Sequence, residues 1–134
     1  MNDKSGFTLI ELMLVLIIIG VLASMVVPRF VGRTEEAKIS AAKVDISANI
    51  SVALDLFELD NGRYPATEEG LSSLKTRPAA SPNWKGPYFK RLARDPWRNP
   101  YVYRFPGEHN TDYDLYSYGP DGKEGGGDDI TNWE

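Results

Sequence analysis

Gly6-Phe7-Thr8-Leu9-Ile10-Glu11-Leu12 decides how this chain is read. Behind Phe7 the chain stays apolar to Val27, a run of 21 residues with one ionisable side chain, Glu11. A helix of that length spans the hydrocarbon core of a bilayer. An ionised carboxylate inside a bilayer costs on the order of 2.5–3.5 kcal/mol unless it is paired, so Glu11 needs a partner. An ordinary secretory signal places its small-residue cleavage site after the apolar run. Here the small residue, Gly6, comes before it, so a cut there leaves the hydrophobic helix on the mature protein. The plain alternative is a single-pass anchor with Glu11 snorkelling to the interface.

The same stretch resembles the processing site of type IV pilins and of the pseudopilins of type II secretion. The resemblance implies cleavage between Gly6 and Phe7 by a prepilin peptidase, N-methylation of Phe7, and an assembly role for Glu11. Cleavage creates an α-amine at Phe7, and Glu11 of one subunit can neutralise the Phe7 amine of its neighbour. In a low-dielectric surrounding each unpaired charge is costly, so misplaced subunits are penalised and register is enforced.

Net charge is −4 and no basic face stands out, so no nucleic-acid partner is expected. There are no cysteines, so a domain outside the cytoplasm must be stabilised by something other than disulfides. Arg29, Arg33, Lys38 and Lys43 follow the span while only Lys4 precedes it. That contradicts a simple positive-inside count for a cytoplasmic N-terminus; the resemblance, not the charge count, places the C-terminal domain in the periplasm of a Gram-negative bacterium. Gly20 and Pro28 make the helix between them cheap to bend. The family resemblance implies an extended segment there in filaments, and a modest proline kink is expected in an isolated subunit.

From Arg29 to about Asp60 the pattern is helical. Ile39, Ala42, Ile46, Ile50, Ala53, Leu54 and Phe57 recur at three- and four-residue spacing and fall on one face. Span and amphipathic stretch form one helix of about 50 residues, roughly 75 Å if continuous, ended at Asp60-Asn61-Gly62. Thr67 to Leu74 reads as a short helix capped by Thr67. Residues 76–100, rich in proline, glycine and aromatics, read as a long ordered loop. Asp95-Pro96-Trp97-Arg98-Asn99-Pro100-Tyr101 resembles a turn of the major pseudopilins, with Arg98 in place of a glycine; Asn99 is expected to take any positive φ. Tyr101–Phe105 and Tyr113–Tyr118 read as an antiparallel hairpin. His109, the only histidine, is expected to be a solvated loop residue.

In Gly119-Pro120-Asp121-Gly122-Lys123-Glu124-Gly125-Gly126-Gly127-Asp128-Asp129, carboxylates close both ends of a glycine-rich loop. Bringing them together is repulsive unless a cation sits between them, and calcium takes six to eight oxygens in flexible geometry. The spacing is not that of an EF-hand, and an acidic glycine turn is more often merely solvated. Tyr116 to Gly126 with Asp129-Ile130-Thr131-Asn132-Trp133 resembles the signature of the major pseudopilin of type II secretion. The resemblance implies one calcium ion. Its ligands would be Asp121, Asp129 and Asp128, the carbonyls of Tyr118 and Lys123, and Thr131. The loop reads a few residues shorter than is usual, which bears on Asp128.

The expected fold is therefore α+β and pilin-like: one long N-terminal helix, membrane-spanning in its first half, on a small antiparallel sheet with a C-terminal calcium loop. The expected division is a leader at 1–6, a transmembrane and assembly helix at 7–28 and a periplasmic domain at 29–134. No nucleophile–histidine–acid set is present, so no enzyme is expected. The expected function is a structural subunit that polymerises into the periplasmic pseudopilus driving protein export across the outer membrane. Partners implied are further copies in a helical homopolymer, minor pseudopilins, the inner-membrane assembly platform, the prepilin peptidase and membrane lipid before assembly. Two alternatives stand beside it: a type IV pilin or minor pseudopilin, and a membrane-anchored calcium-binding domain that never polymerises.

Overall fold

The structure, a computed structural model, describes residues 6–91 and 94–133, with residues 27–31 described by backbone alone. The leader before Gly6 and the side chains of Pro28 and Arg29 lie outside the described residues. The chain divides into two compact units, residues 1–36 and 37–134.

Helix α1 runs Leu9–Val44, followed by a π-helical turn at Asp45–Ile50 and by α2 at Ser51–Asn61. The backbone is helical throughout the stretch from Gly20 to Pro28. Within the first unit, Leu9–Val26 is long and apolar enough to cross a membrane, and none of it is buried. Leu, Ile, Val and Met side chains there stand exposed around the helix.

In the second unit Ala42, Ile46, Ile50, Ala53, Leu54 and Phe57 are buried and Ile39 packs against them, as their spacing required. The π turn was not foreseen, and it has a physical reason. Ala42, Ile46, Ile50 and Leu54 recur at four-residue steps. In an α-helix of 3.6 residues per turn each such step drifts about 40° around the axis. One wider turn, closing at i to i+5, cancels the drift and keeps all four on the core. Two side chains mark it: Ser51 Oγ donates to the Ile46 carbonyl and Asn49 Nδ2 to Asp45 Oδ1. Helix α2 ends where expected, with Gly62 left-handed at φ 72° and its N–H on the Glu58 carbonyl.

The sheet has three antiparallel strands in the order β1-β2-β3: β1 Val102–Arg104, β2 Asp114–Ser117 and β3 Ile130–Thr131. Val102 faces Tyr116 and Arg104 faces Asp114, which is the expected hairpin. The third strand was not expected. It pairs Thr131 with Tyr116 and Ile130 with Ser117, so the end of the acidic stretch is built into the sheet. Tyr101, Tyr103, Tyr113, Leu115 and Ile130 share one core with the helical residues. Tyr101 also donates its hydroxyl to Asp45 Oδ2 at 2.9 Å, linking the sheet side to the π turn.

The loop of residues 76–91 is held by its aromatics. Trp84 Nε1 donates to the Ser73 carbonyl at 2.9 Å and Tyr88 donates to Asp60 at 2.8 Å. Tyr88 meets both Phe57 and Trp84 edge-on. Two local expectations are corrected. Residues 71–74 form a single 3₁₀ turn, and Thr67 caps nothing there. Its hydroxyl instead bridges the Phe105 carbonyl and N–H, because a partner in the core strand's extension outcompetes a helix too short to persist. The positive φ in the Asp95 turn falls on Arg98, at 74°, and not on Asn99. Asp95 fixes that choice by accepting the N–H groups of Trp97 and Asn99 while its own carbonyl accepts from Arg98 N–H. His109 is an exposed loop residue, as expected, and it is partnered as well. Its Nδ1 lies 2.9 Å from Asp114 Oδ2 and its ring stacks on Trp133 at 4.2 Å.

Candidate functional site

Two places carry the chemistry, one in each unit. At the start of α1, Thr8 and Glu11 form a reciprocal cap: Thr8 N–H donates to Glu11 Oε2 at 2.9 Å and Glu11 N–H donates to Thr8 Oγ1 at 3.3 Å. The Thr8 hydroxyl also donates to the same carboxylate oxygen at 3.0 Å. This is the S/T-x-x-E arrangement that satisfies two orphan donors of a helix start. It places the carboxylate at the helix N-terminus, where the backbone dipole favours negative charge. Phe7 is exposed beside it and Gly6 precedes it in an open, non-helical segment. The expected cleavage position is thus accessible backbone, and the Glu11 carboxylate, the expected assembly group, is held at one defined position.

The second place is the loop from Gly119 to Asp129. Its path depends on glycine at one point above all. A Cβ on Gly119, at φ 66°, would lie 2.1 Å from the Asp128 carbonyl oxygen, so only glycine lets the two ends of the loop cross. Asp121 N–H donates to Asp128 Oδ2 at 3.1 Å, Lys123 N–H to Asp121 Oδ1 at 2.8 Å and Gly125 N–H to Asp129 Oδ2 at 2.8 Å. Asp121 and Asp128 both reach Gly126: a Cβ there would stand 3.3 Å from Asp121 Oδ2 and 3.1 Å from Asp128 Oδ1. The structure therefore brings Asp121, Asp128 and Asp129 to one loop. Among the described residues, though, no three of His, Cys, Asp or Glu are gathered so as to hold a metal by themselves. Any cation here must draw on hydroxyl and carbonyl oxygens too.

Two oxygens point that way. Asp129 Oδ1 and Thr131 Oγ1 are buried and have no hydrogen-bond partner. A buried acceptor left without a donor costs free energy, and a hard, oxygen-seeking cation removes that cost at both atoms. The donor set is all oxygen, so the residues present fit calcium. Tyr118 packs its ring edge-on against Tyr116 and Lys123 is tied in through its N–H; in both, the backbone carbonyl is the atom expected to contribute.

The loop is buttressed from two sides. Glu124 accepts the Tyr116 hydroxyl at 2.6 Å and pairs with Arg104 at 3.2 Å. Ser117 Oγ donates to Asp95 Oδ2 at 2.7 Å and accepts the Gly119 N–H at 3.1 Å, which ties the Asp95 turn to the loop's first residue. Sequence reasoning missed the Ser117 bridge and the burial of Asp114. Asp114 accepts N–H groups of Glu108, His109 and Asn110. Burial pushes its carboxyl up, but those backbone donors and the His109 ring outweigh it, and the group ends below its ordinary value. The alternation of β2 gave no signal of this, since all four of its residues are buried. A groove of about 890 Å³ runs between the helical residues Ile39, Lys43 and Ser47 and the loop residues Pro120 and Asp128 to Asn132.

Residues 29–133 match the family described as type II secretion system, protein G, and residues 1–27 match the prokaryotic N-terminal methylation motif. The type II secretion system core protein G of Pseudomonas aeruginosa is 51% identical over 140 residues, covering 99% of this chain and 97% of the relative. The protein of the same name from Escherichia coli is 53% identical over 137 residues, covering 98% and 92%. The crystal structure of the major pseudopilin from the type 2 secretion system of enterohaemorrhagic Escherichia coli superposes with a TM-score of 0.67 at 38% identity, covering 76% of this chain and 87% of that one.

Proposed function

This chain belongs to the type II secretion system protein G family and is a structural subunit of the pseudopilus; from that premise we propose how its two sites serve assembly. Cleavage between Gly6 and Phe7 by a prepilin peptidase frees the Phe7 amine, which is then N-methylated. The subunit waits in the inner membrane of a Gram-negative bacterium, with residues 29–134 in the periplasm. It then joins a helical homopolymer that works with minor pseudopilins and an inner-membrane platform in export across the outer membrane. The observation that carries this reading is the helix Leu9–Val26, apolar and wholly uncovered, with a single carboxylate fixed at its start. Lipid covers such a surface in the monomer, and other copies cover it in the polymer. The charge pair between Glu11 and a neighbour's Phe7 amine sets the axial register, because an unpaired charge there is penalised on both partners.

Calcium at the Gly119–Asp129 loop supplies the positive charge that lets its carboxylates stay together. Asp121, Asp128 and Asp129 hold it with Thr131 and the carbonyls of Tyr118 and Lys123. The two buried oxygens of Asp129 and Thr131 support this assignment. The loop's job is structural: it pins β3 to β2, in a domain with no cysteine to do so.

The test is Glu11→Ala in the native host, read by intact mass and by sedimentation of filaments. We expect a processed subunit starting at a methylated Phe7, normal insertion, and no filaments. Normal filaments from Glu11→Ala would remove the pairing account, and an intact mass starting at Met1 would remove the processing account.

A further inference from the structure

The loop from Gly119 to Asp129 leaves and rejoins the sheet beside the pair Ser117 and Ile130. The Ser117 side chain is completely buried. A serine hydroxyl has one hydrogen to give and lone pairs with which to accept. Ser117 Oγ gives its hydrogen to Asp95 Oδ2 at 2.7 Å and accepts the Gly119 N–H at 3.1 Å. Asp95 is buried and fixed in turn, because its Oδ1 accepts the N–H groups of Trp97 and Asn99. The Gly119 N–H shares one planar trans peptide unit with the Tyr118 carbonyl, and in such a unit the two groups point to opposite sides. Holding the N–H on Ser117 therefore sets where the Tyr118 carbonyl points. The Asp95 turn meets the loop a second time, since a Cβ on Gly122 would lie 3.2 Å from Asn99 Nδ2.

We propose that Ser117 is a positioning residue of the calcium loop: held by Asp95, it aims the Tyr118 carbonyl at the ion. The inference rests on the calcium reading of the loop. The three aspartates are oriented from within the loop. Asp121 Oδ1 accepts the Lys123 N–H, Asp128 Oδ2 the Asp121 N–H and Asp129 Oδ2 the Gly125 N–H. The Tyr118 carbonyl differs. It has no side-chain torsion to adjust with and follows its peptide plane, and that plane is set from outside the loop. Asp95, which anchors the setting residue, stands 22 positions from Ser117 in the chain. Calcium draws on backbone carbonyls as readily as on carboxylates. A carbonyl already turned to its place need not be ordered when the ion binds, and the ordering cost is removed from the affinity. Loss of a group that orients a metal ligand weakens metal binding by about 10–100-fold.

The test uses the full-length chain in detergent micelles. Calcium is titrated into chelator-stripped protein by calorimetry, and the Tyr118 carbonyl is followed by NMR. Tyr118-Gly119 is the only Tyr-Gly pair in the sequence, so tyrosine labelled at its carbonyl carbon and glycine labelled at nitrogen single out this peptide. The unsubstituted chain should bind calcium and shift the Tyr118 carbonyl resonance. Ser117→Ala removes the tether without removing any expected ligand. It should raise the calcium Kd at least about tenfold and lose most of the carbonyl shift at saturating calcium. Ser117→Thr keeps the hydroxyl and should restore both. Thermal unfolding in chelator measures what the hydroxyl adds to the fold apart from the ion. If Ser117→Ala does not unfold cooperatively there, Ser117→Cys, which keeps the shape with a weaker acceptor, takes its place with the same expectations. An unchanged Kd overturns the positioning role and leaves the calcium loop standing. A weaker Kd with the carbonyl shift intact at saturation also overturns it, because the hydroxyl then acts on stability alone. If the unsubstituted chain gives neither calcium-binding heat nor a carbonyl shift, the calcium reading fails and this inference falls with it.

Discussion

Arg98 shows how a single residue can be placed against its own preference. It holds φ at 74°, a region that costs a residue with a Cβ roughly 1–2 kcal/mol. The strain persists because Asp95 grips the N–H groups on both sides and Ser117 grips Asp95. Arg98→Gly removes the clash at small entropic cost to the unfolded state. We expect it to stabilise the protein by about 1 kcal/mol, seen as a rise of a few degrees in the thermal midpoint. Lowered stability would mean that the Arg98 side chain makes contacts worth more than the strain. From the sequence, Asn99 was the better candidate for this conformation, since asparagine tolerates it. What decided otherwise was the position of Asp95 relative to β2, which is a long-range fact.

At the scale of elements, the helical face was legible and its phase was not. The spacing of Ile39 through Phe57 was enough to name the side that is buried. It did not reveal that a strict four-residue repeat drifts on an α-helix and needs a wider turn to hold its face. The π turn contains one residue more than an α turn would. Deleting Ser47, an exposed residue inside it, leaves Ile46 and Ile50 three apart and still on one side. We expect the deleted chain to fold with an ordinary α turn there. The loss of about 1 kcal/mol reflects the hydrogen bonds made by Ser51 and Asn49, measured by thermal unfolding. A chain that fails to fold would show that the turn is fixed by its surroundings and is not a correction of phase. The short helix expected after Thr67 failed for the opposite reason: local capping chemistry was present, but a strand end offered its hydroxyl two better partners.

At the scale of the whole molecule, charge sets the conditions for folding, and a bound ion would add to them. Glu69 is held below its ordinary value of 4.5 chiefly by its hydrogen bond to Arg63. Asp114 is held below 3.8 by donors that outweigh its burial. A carboxyl depressed in the folded state adds stability above its unfolded value and loses it as pH falls through the folded one. The protein should therefore keep its thermal midpoint from neutral pH down to about pH 5 and lose it progressively below about pH 4. Asp114→Asn should flatten part of that loss, and an unchanged acid profile would show that Asp114 is not one of the groups responsible. A calcium ion held by the loop, as proposed above, would act in the same way. At a hundredfold excess over Kd the ion would add about 2.7 kcal/mol, so a chelator should lower the midpoint. Asp129→Asn should remove the chelator's effect and Thr131→Val should weaken it. A midpoint indifferent to chelation in the unsubstituted chain would remove the structural ion.

The amino-acid sequence alone dictates what depends on order and spacing along the chain. It set the apolar helix with Glu11 at its start, the amphipathic face that follows, the helix stop at Gly62, the hairpin, and the acidic glycine loop. Each is local, because periodicity, capping and turn chemistry act over a few residues. What depends on residues far apart was settled by the folded arrangement. It paired Ile130 and Thr131 with β2, so that the acidic loop is closed at its end by the sheet. It buried Asp114 under its own backbone donors with His109 and Trp133 stacked beside it. It left one oxygen each of Asp129 and Thr131 enclosed and unmatched. Burial is a property of what arrives from elsewhere in the chain, and spacing along the chain carries no record of it.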